Sequence, residues 1–306
     1  MEFSGCGTAL VTPFRGDGDL DESALVQLVH WQIESGVDFL VPCGTTGEAS
    51  TLTESEALRV TESVVRTAAG RVPVFAGCTH NATGEAVARA RRLAEISGLT
   101  GLLSANPYYN RPGQEGQYRH FRAIAEATPL PLLLYNIPSR TGVNLEPLTV
   151  LRLAKIPNIV GIKESSANLA QITELMTRVP RGFKVFSGDD GLALQTLELG
   201  AAGLISVASN AIPAPMTALV RAALTGDWPT ARALNHQFYA LMQAHFWEPS
   251  PAPVKAVLAL LGHGEDHLRL PMLPVTAATR RKLEVLLGEL GLLSSVPASN
   301  ETLRMV

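Results

Sequence analysis

Eight short apolar runs recur along this 306-residue chain, each followed by an amphipathic stretch, at intervals of about 25 to 35 residues. The runs are Gly7–Val11, Phe39–Val41, Val74–Gly77, Gly101–Ala105, Leu132–Asn136, Ile159–Lys163, Lys184–Ser187 and Gly203–Ser206. Their apolar residues are consecutive rather than alternating, which predicts strands buried on both faces and hence a parallel sheet covered by helices. Eight strand–helix units is the number that closes a (β/α)8 TIM barrel. The competitor, an open doubly wound sheet, loses its commonest dinucleotide-binding form because no G-x-G-x-x-G follows an early strand.

The spacing predicts helices over Glu22–Ser35, Glu54–Ala69, Thr83–Ile96, Gln114–Ala127, Glu146–Ala154, Leu169–Thr177, Gly191–Leu199 and Pro213–Leu224. Thr53-Glu54-Ser55-Glu56 has the pattern of a capping box, and Gly36, Gly70 and Gly98 stand where a left-handed C-terminal residue is wanted. Beyond the eighth unit, Trp228–Ala244, Val254–Leu261 and Val275–Leu290 read as three further helices. The expected organisation is a barrel over 1–225, a C-terminal three-helix appendage over 226–293 and a frayed polar tail over 294–306.

At 46% hydrophobic and 17% charged residues the chain can build a large core and is not disordered. Its net charge of −3, with no basic stripe, argues against a nucleic-acid partner. No apolar stretch approaches the roughly 18 residues of a membrane span, and Met1–Ser4 lacks a secretion pattern. Cys6, Cys43 and Cys78 form no C-x-x-C pair and are expected as buried, reduced thiols. A soluble cytoplasmic protein is expected.

In a barrel, function sits in the loops after the strands. Lys163 ends the sixth run and Tyr135 the fifth, and neighbouring strands lie about 4.8 Å apart, so amine and phenol can share one pocket. A lysine there can form a Schiff base with a carbonyl substrate while the phenol moves protons. A lone strand-end lysine is more often a cap that snorkels to water, so the neighbouring loops matter. After the second run, Gly44-Thr45-Thr46-Gly47-Glu48 offers hydroxyls and backbone N–H groups as an anion cradle, or is an ordinary turn with glycine at its φ > 0 positions. After the fourth, Asn106 to Pro112 presents adjacent tyrosines, Tyr108 and Tyr109, for a proton relay, a partner contact or packing under the loop. After the fifth, Arg140 suits bidentate carboxylate recognition. After the seventh, Ser187-Gly188-Asp189-Asp190 offers backbone contacts or starts a helix, its two acids reading as dipole partners. No metal-ligand cluster stands out; His263 and His267, flanked by Gly262 and Gly264, read as a solvated turn.

Taken together, from Gly7-Thr8-Ala9-Leu10-Val11-Thr12-Pro13-Phe14 to about Leu293, including Glu248-Pro249 and Leu268-Arg269-Leu270-Pro271-Met272, the chain resembles the dihydrodipicolinate synthase/N-acetylneuraminate lyase family. The resemblance implies a pyruvate-type Schiff-base enzyme. Arg140 and the Tyr108–Tyr109 pair resemble the synthase branch, which condenses pyruvate with L-aspartate-4-semialdehyde to 4-hydroxy-tetrahydrodipicolinate in the diaminopimelate route to lysine. It implies Lys163 as the imine-forming residue and Tyr135, Thr46 and Tyr109 as a proton relay, with Tyr109 reaching into a neighbouring subunit. Thr45 and Thr46 would hold the pyruvate carboxylate, Gly188 and Ile205 would line the pocket, and Arg140 would grip the semialdehyde. No cofactor beyond the covalent imine and no metal are implied, and a homotetramer, a dimer of dimers, is. Ser50, Asn81, Glu85 and Tyr108 match an allosteric lysine site. Glu54 and Ala57 depart from it, since the lysine-inhibited type has histidines there, so feedback is expected to be weak. Two alternatives stay open: another pyruvate aldolase of the family, acting on sialic acid or a 2-keto-3-deoxy sugar acid, and a non-catalytic acid-binding member.

Overall fold

The computed structural model describes residues 3–293. The strands are β1 (Gly5–Ala9), β2 (Phe39–Val41), β3 (Phe75–Gly77), β4 (Gly101–Ala105), β5 (Leu132–Asn136), β6 (Ile159–Glu164), β7 (Lys184–Ser187) and β8 (Gly203–Ser206). The helices are α1 (Glu22–Glu34), α2 (Glu54–Ala68), α3 (Thr83–Ala94), α4 (Gln114–Glu126), α5 (Pro138–Thr141), α6 (Pro147–Leu153), α7 (Leu169–Arg178), α8 (Ala193–Glu198), α9 (Pro213–Leu224), α10 (Trp228–Ala244), α11 (Ala252–Leu260) and α12 (Ala277–Glu289). All strand pairings in the sheet are parallel, in the order β2-β1-β8-β7-β6-β5-β4-β3. A parallel Leu40–Val74 bridge and the bond from Leu40 N–H to Pro73 O, 3.0 Å, bring β2 to β3 and close the ring. The expected (β/α)8 barrel is the observed one, followed by the three helices α10–α12.

Three local readings need adjustment. Strand β1 runs two residues earlier than the apolar run Gly7–Val11, because Gly5 and Cys6 join the ladder to β8 while Leu10 keeps one bond, to Val41 O. The single helix expected over Gly191–Leu199 is a 3-10 turn, Asp190–Leu192, followed by α8. The one-turn α5, opened by Pro138 and closed by Gly142 at φ +77°, was not legible in the periodicity. The capping box is present, with Thr53 N–H bonded to Glu56 Oε2 at 2.8 Å, and Gly36, Gly70 and Gly98 all take positive φ. The tail 294–306 lies outside the described residues.

The barrel interior is a core of its own, separate from the helix–strand core around it. At the amino-terminal end, Phe3 stacks on Phe75 and Phe186, with centroids 4.7 and 5.1 Å apart, and meets Phe39 edge-on at 5.8 Å. Large rings need small neighbours in a small barrel. A Cβ on Gly101 would stand 2.6 Å from the Phe75 ring, and one on Gly7 would enter the Phe39 ring. Above this plug the interior is filled by Ala9, Val41, Ala105, Tyr135 and Ile205, so the bottom is sealed and only the carboxyl-terminal rim is open to chemistry.

All three cysteines are free and buried, as expected; burial pushes the Cys43 and Cys78 thiols up to about 11 and 12. His245, at the C-cap of α10, is fully buried, and neither ring nitrogen has a hydrogen-bond partner among the described residues. Burial holds its imidazole down at about 4, against an ordinary 6.5. The unfolded chain therefore takes up a proton that the folded chain refuses, and stability present above pH 6.5 is lost as pH falls towards 4. The loss is on the order of 3 kcal/mol, at 1.36 kcal/mol per unit. Buried His120, held down to about 4 by burial and then by His80, acts in the same direction. Melting temperature is expected to fall across this window, and His245→Leu to flatten the fall; an unchanged slope in the variant would remove His245 as its cause.

Candidate active site

Strand register decides what meets at the rim. Tyr135 of β5 and Lys163 of β6 are direct partners in the ladder, and the Lys163 amine lies 4.4 Å from the centre of the Tyr135 ring. Both side chains are buried, and Lys163 makes no hydrogen bond or ion pair among the described residues. A buried amine with no carboxylate partner is free for nucleophilic rather than structural use. Its chain runs along β7, where a Cβ on Gly188 would stand 2.8 Å from Lys163 Cγ and Cε. Gly188 is there for close approach.

Behind the rim, the residues that follow Tyr135 and Lys163 lock this register. Asn136 and Glu164 are also ladder partners, and Asn136 Nδ2 donates to Glu164 Oε1 and Oε2 at 3.2 and 3.1 Å. Glu164 also accepts from Ser166 N–H at 2.7 Å and Gln171 Nε2 at 3.3 Å. Asn136 Oδ1 accepts from Asn106 Nδ2 at 3.2 Å and from Leu145 N–H at 2.9 Å. One buried cluster thus ties the ends of β4, β5 and β6. Burial pushes the Glu164 carboxyl up, and its hydrogen bonds pull it back. Sequence reading missed this cluster, although Asn106, Asn136 and Glu164, three polar residues at the ends of neighbouring apolar runs, were the available signal.

A cavity of about 410 Å³ opens against Tyr135, with Thr45, Tyr108, Arg140 and Arg89 also among the residues that line it; Lys163 and Gly188 are not among them, and Lys163 reaches this space only by way of its contact with the Tyr135 ring. That volume suits a small polar acid. Arg140, carried by α5, donates from Nη2 to Ser250 O at 3.2 Å, which leaves the rest of its fork for a ligand. The structure does not gather every expected residue here. Thr46 is buried beneath the loop, does not line the cavity, and has no hydrogen bond to Tyr135. The Ile205 side chain belongs to the barrel interior. Tyr109 stands 89% exposed at φ +73°, a costly backbone conformation for a residue with a side chain. Of the allosteric set, Ser50 and Tyr108 line the same cavity, Asn81 accepts from Asn110 Nδ2 at 3.0 Å, and Glu85 is exposed on α3. Glu54 pairs with Arg92, both at the surface.

The glycine-rich loop is built differently from the turn envisaged. Its positive-φ residues are Cys43 and Glu48, not the glycines. Gly47 serves close approach, since a Cβ there would stand 3.0 Å from Leu10 O. Glu48 is 4% exposed and ion-paired with Lys255 of α11, itself 1% exposed, whose amine also donates to His267 O at 2.8 Å. Burial draws the Lys255 amine below its ordinary value, and Glu48 draws it back. Nearby, Arg269 holds Glu56 with two bonds of 2.5 and 2.8 Å, which keeps that carboxyl down at about 2. The C-terminal helices are therefore clamped onto the β2 loop.

The two acids do stand at a helix start, as expected: Asp189 caps the 3-10 turn, accepting from Gly191 N–H at 2.9 Å, and Asp190 opens it. Buried, Asp190 accepts from Ser206 Oγ at 2.5 Å and from Val207 and Ala208 N–H at 3.0 and 2.9 Å, fixing the loop after Ile205. His263 sits in a turn and stacks on Trp31 at 3.8 Å. Among the described residues no group of three or more His, Cys, Asp or Glu is placed to hold a metal ion, and no helix is long and apolar enough to cross a membrane.

Comparisons with known proteins agree along the whole length. The sequence model described as the Dihydrodipicolinate synthetase family matches residues 2–290. The 4-hydroxy-tetrahydrodipicolinate synthase of Acidobacterium capsulatum is 61% identical over 298 residues, 97% of this chain and 99% of that protein. The crystal structure of dihydrodipicolinate synthase from Aquifex aeolicus superposes with a TM-score of 0.92 at 42% identity, covering 95% of this chain and 99% of that one. The chloride-inhibited dihydrodipicolinate synthase from Acinetobacter baumannii, complexed with pyruvate, superposes at 0.93 with 40% identity, covering 95% and 100%.

Proposed function

The chain belongs to the dihydrodipicolinate synthetase family, and from that premise we propose how its rim performs the family's reaction. The enzyme condenses pyruvate with aspartate-4-semialdehyde to 4-hydroxy-tetrahydrodipicolinate, on the diaminopimelate route to lysine. The observation that carries the residue-level reading is the Lys163 amine over the ring of Tyr135, its direct ladder partner and itself a lining residue of the cavity.

Lys163 attacks the pyruvate carbonyl and water leaves, giving an imine that withdraws electrons from the methyl group. Loss of a methyl proton gives the enamine, whose carbon attacks the aldehyde. The substrate's own amine then closes the ring and releases the lysine. Tyr135 moves the protons, with Thr46 and a Tyr109 supplied by a neighbouring copy of the chain completing the relay. The exposed, strained Tyr109 supports that role, because a second subunit would give it contacts. Thr45 and the Thr46 backbone hold the pyruvate carboxylate, Gly188 and the Ile205 backbone border it, and Arg140 takes the semialdehyde carboxylate. The covalent imine on Lys163 supplies the electron sink, so the reading needs no added cofactor or metal. A homotetramer of tight dimers and a cytoplasmic location complete it, with weak lysine feedback at Ser50, Asn81, Glu85 and Tyr108.

One assay tests this reading. Pyruvate plus aspartate semialdehyde should yield the cyclic product, with sialic acid and 2-keto-3-deoxygluconate left uncleaved. Arg140→Ala should raise KM for the semialdehyde by on the order of 100-fold, the scale of a lost charged hydrogen bond of about 3 kcal/mol, with borohydride trapping of pyruvate unchanged. Cleavage of a sugar acid, or an unchanged KM, would count against it. An arm with millimolar lysine reads the feedback.

A further inference from the structure

Ser165 follows Lys163 by two residues, one place beyond the end of β6, and both side chains face Gly188. Its backbone is fixed on both sides. The Ser165 N–H donates to Asn136 O at 2.8 Å, and the next N–H, of Ser166, donates to Glu164 Oε1 at 2.7 Å. The hydroxyl oxygen held there is shut off from water and has no hydrogen-bond partner among the described residues. It lies against Gly188, where an added Cβ would collide with it and stand 2.8 Å from Lys163 Cε. Hydroxyl and lysine chain therefore close on one point. A buried hydroxyl without a partner costs about 1–3 kcal/mol, and one that shares the Gly188 surface with the side chain of a reactive lysine calls for a partner that arrives with the substrate.

We propose that Ser165 is a further catalytic residue, whose hydroxyl donates a hydrogen bond to the carbonyl oxygen of pyruvate as Lys163 attacks. This deepens the imine chemistry above and rests on it. In the first step the Nζ–carbon bond forms, the carbonyl π pair moves to oxygen, and one amine proton follows it, giving the carbinolamine. In the second the carbon–oxygen bond breaks, the nitrogen lone pair forms the imine, and the other amine proton leaves with the oxygen as water. Both transfers run through Tyr135. Ser165 keeps its own proton and stabilises the negative charge that develops on oxygen.

Ser165→Ala removes no hydrogen bond made among the described residues, so melting temperature should stay level or rise. The measurement is a rapid-mix time course of borohydride-trapped imine with pyruvate, per folded enzyme. The variant should reach the same end point about tenfold more slowly, the worth of one hydrogen bond. A time course within about twofold of the unsubstituted enzyme overturns the proposal. So does a slower one accompanied by a lowered melting temperature, because the hydroxyl is then holding the turn. Lys163→Ala run in parallel separates the two readings. If it still traps pyruvate, the imine assignment itself fails; if it is silent while Ser165→Ala keeps the full rate, only the role of Ser165 falls.

Discussion

Lys163→Ala is expected to leave a folded protein that no longer forms a borohydride-trappable adduct with pyruvate and has lost at least about four orders of magnitude in kcat, the scale of nucleophile deletion. The fold should survive, because Lys163 makes no ion pair or hydrogen bond among the described residues and Tyr135 keeps its ladder bonds without it. The closed barrel bottom, the Asn136–Glu164 pair and the aromatic plug are untouched. The informative contrast is therefore between an intact thermal transition and a silent trapping assay. A variant that traps pyruvate undiminished would move the chemistry to another amine. The only other nine-tenths-buried lysine among the described residues, Lys255, is committed to Glu48.

What could be read from the sequence followed what is local. Each strand of the barrel is a run of apolar residues, so its place survived folding almost unchanged, and the Lys163–Tyr135 register followed from two runs ending alike. The short α5 escaped because four residues carry no period, though Pro138 and Gly142 mark its ends. Asp190 does open a helical turn, as its place in the sequence suggests, but the loop after β8 that claims its carboxylate is remote in sequence and left no local sign. Glu48 was counted with an anion cradle for the same reason. Nothing in Gly44 to Glu48 reveals that a lysine 207 residues away will neutralise its carboxylate. Local pattern finds elements and strand ends; the long-range polar partners that hold loops in place leave almost no trace in it.

Those partners give the second large effect. Lys255→Met should lower stability by about 3–5 kcal/mol, because it strands the buried Glu48 carboxylate without its cation. The loss should be greater than for Glu56→Gln, although that change also removes an arginine contact, since Glu56 and Arg269 keep some access to water. Desolvation makes the difference: removing one member of a buried pair leaves an uncompensated charge, whereas removing both leaves only a packing problem. The double variant Glu48→Leu, Lys255→Met should therefore recover much of the lost stability in chemical denaturation. Activity should not recover with it. Glu48 sits at φ +52° directly after Thr45, Thr46 and Gly47, and its carboxylate also accepts from the Arg269 N–H at 3.3 Å. The pair thus holds the loop that offers Thr45 to the cavity, and a leucine there can fill space but not accept those bonds. A stable double variant with a raised KM for pyruvate is the expected result. Full recovery of both properties would reduce the clamp to packing alone, and no recovery of stability would mean that the charge was never the costly element.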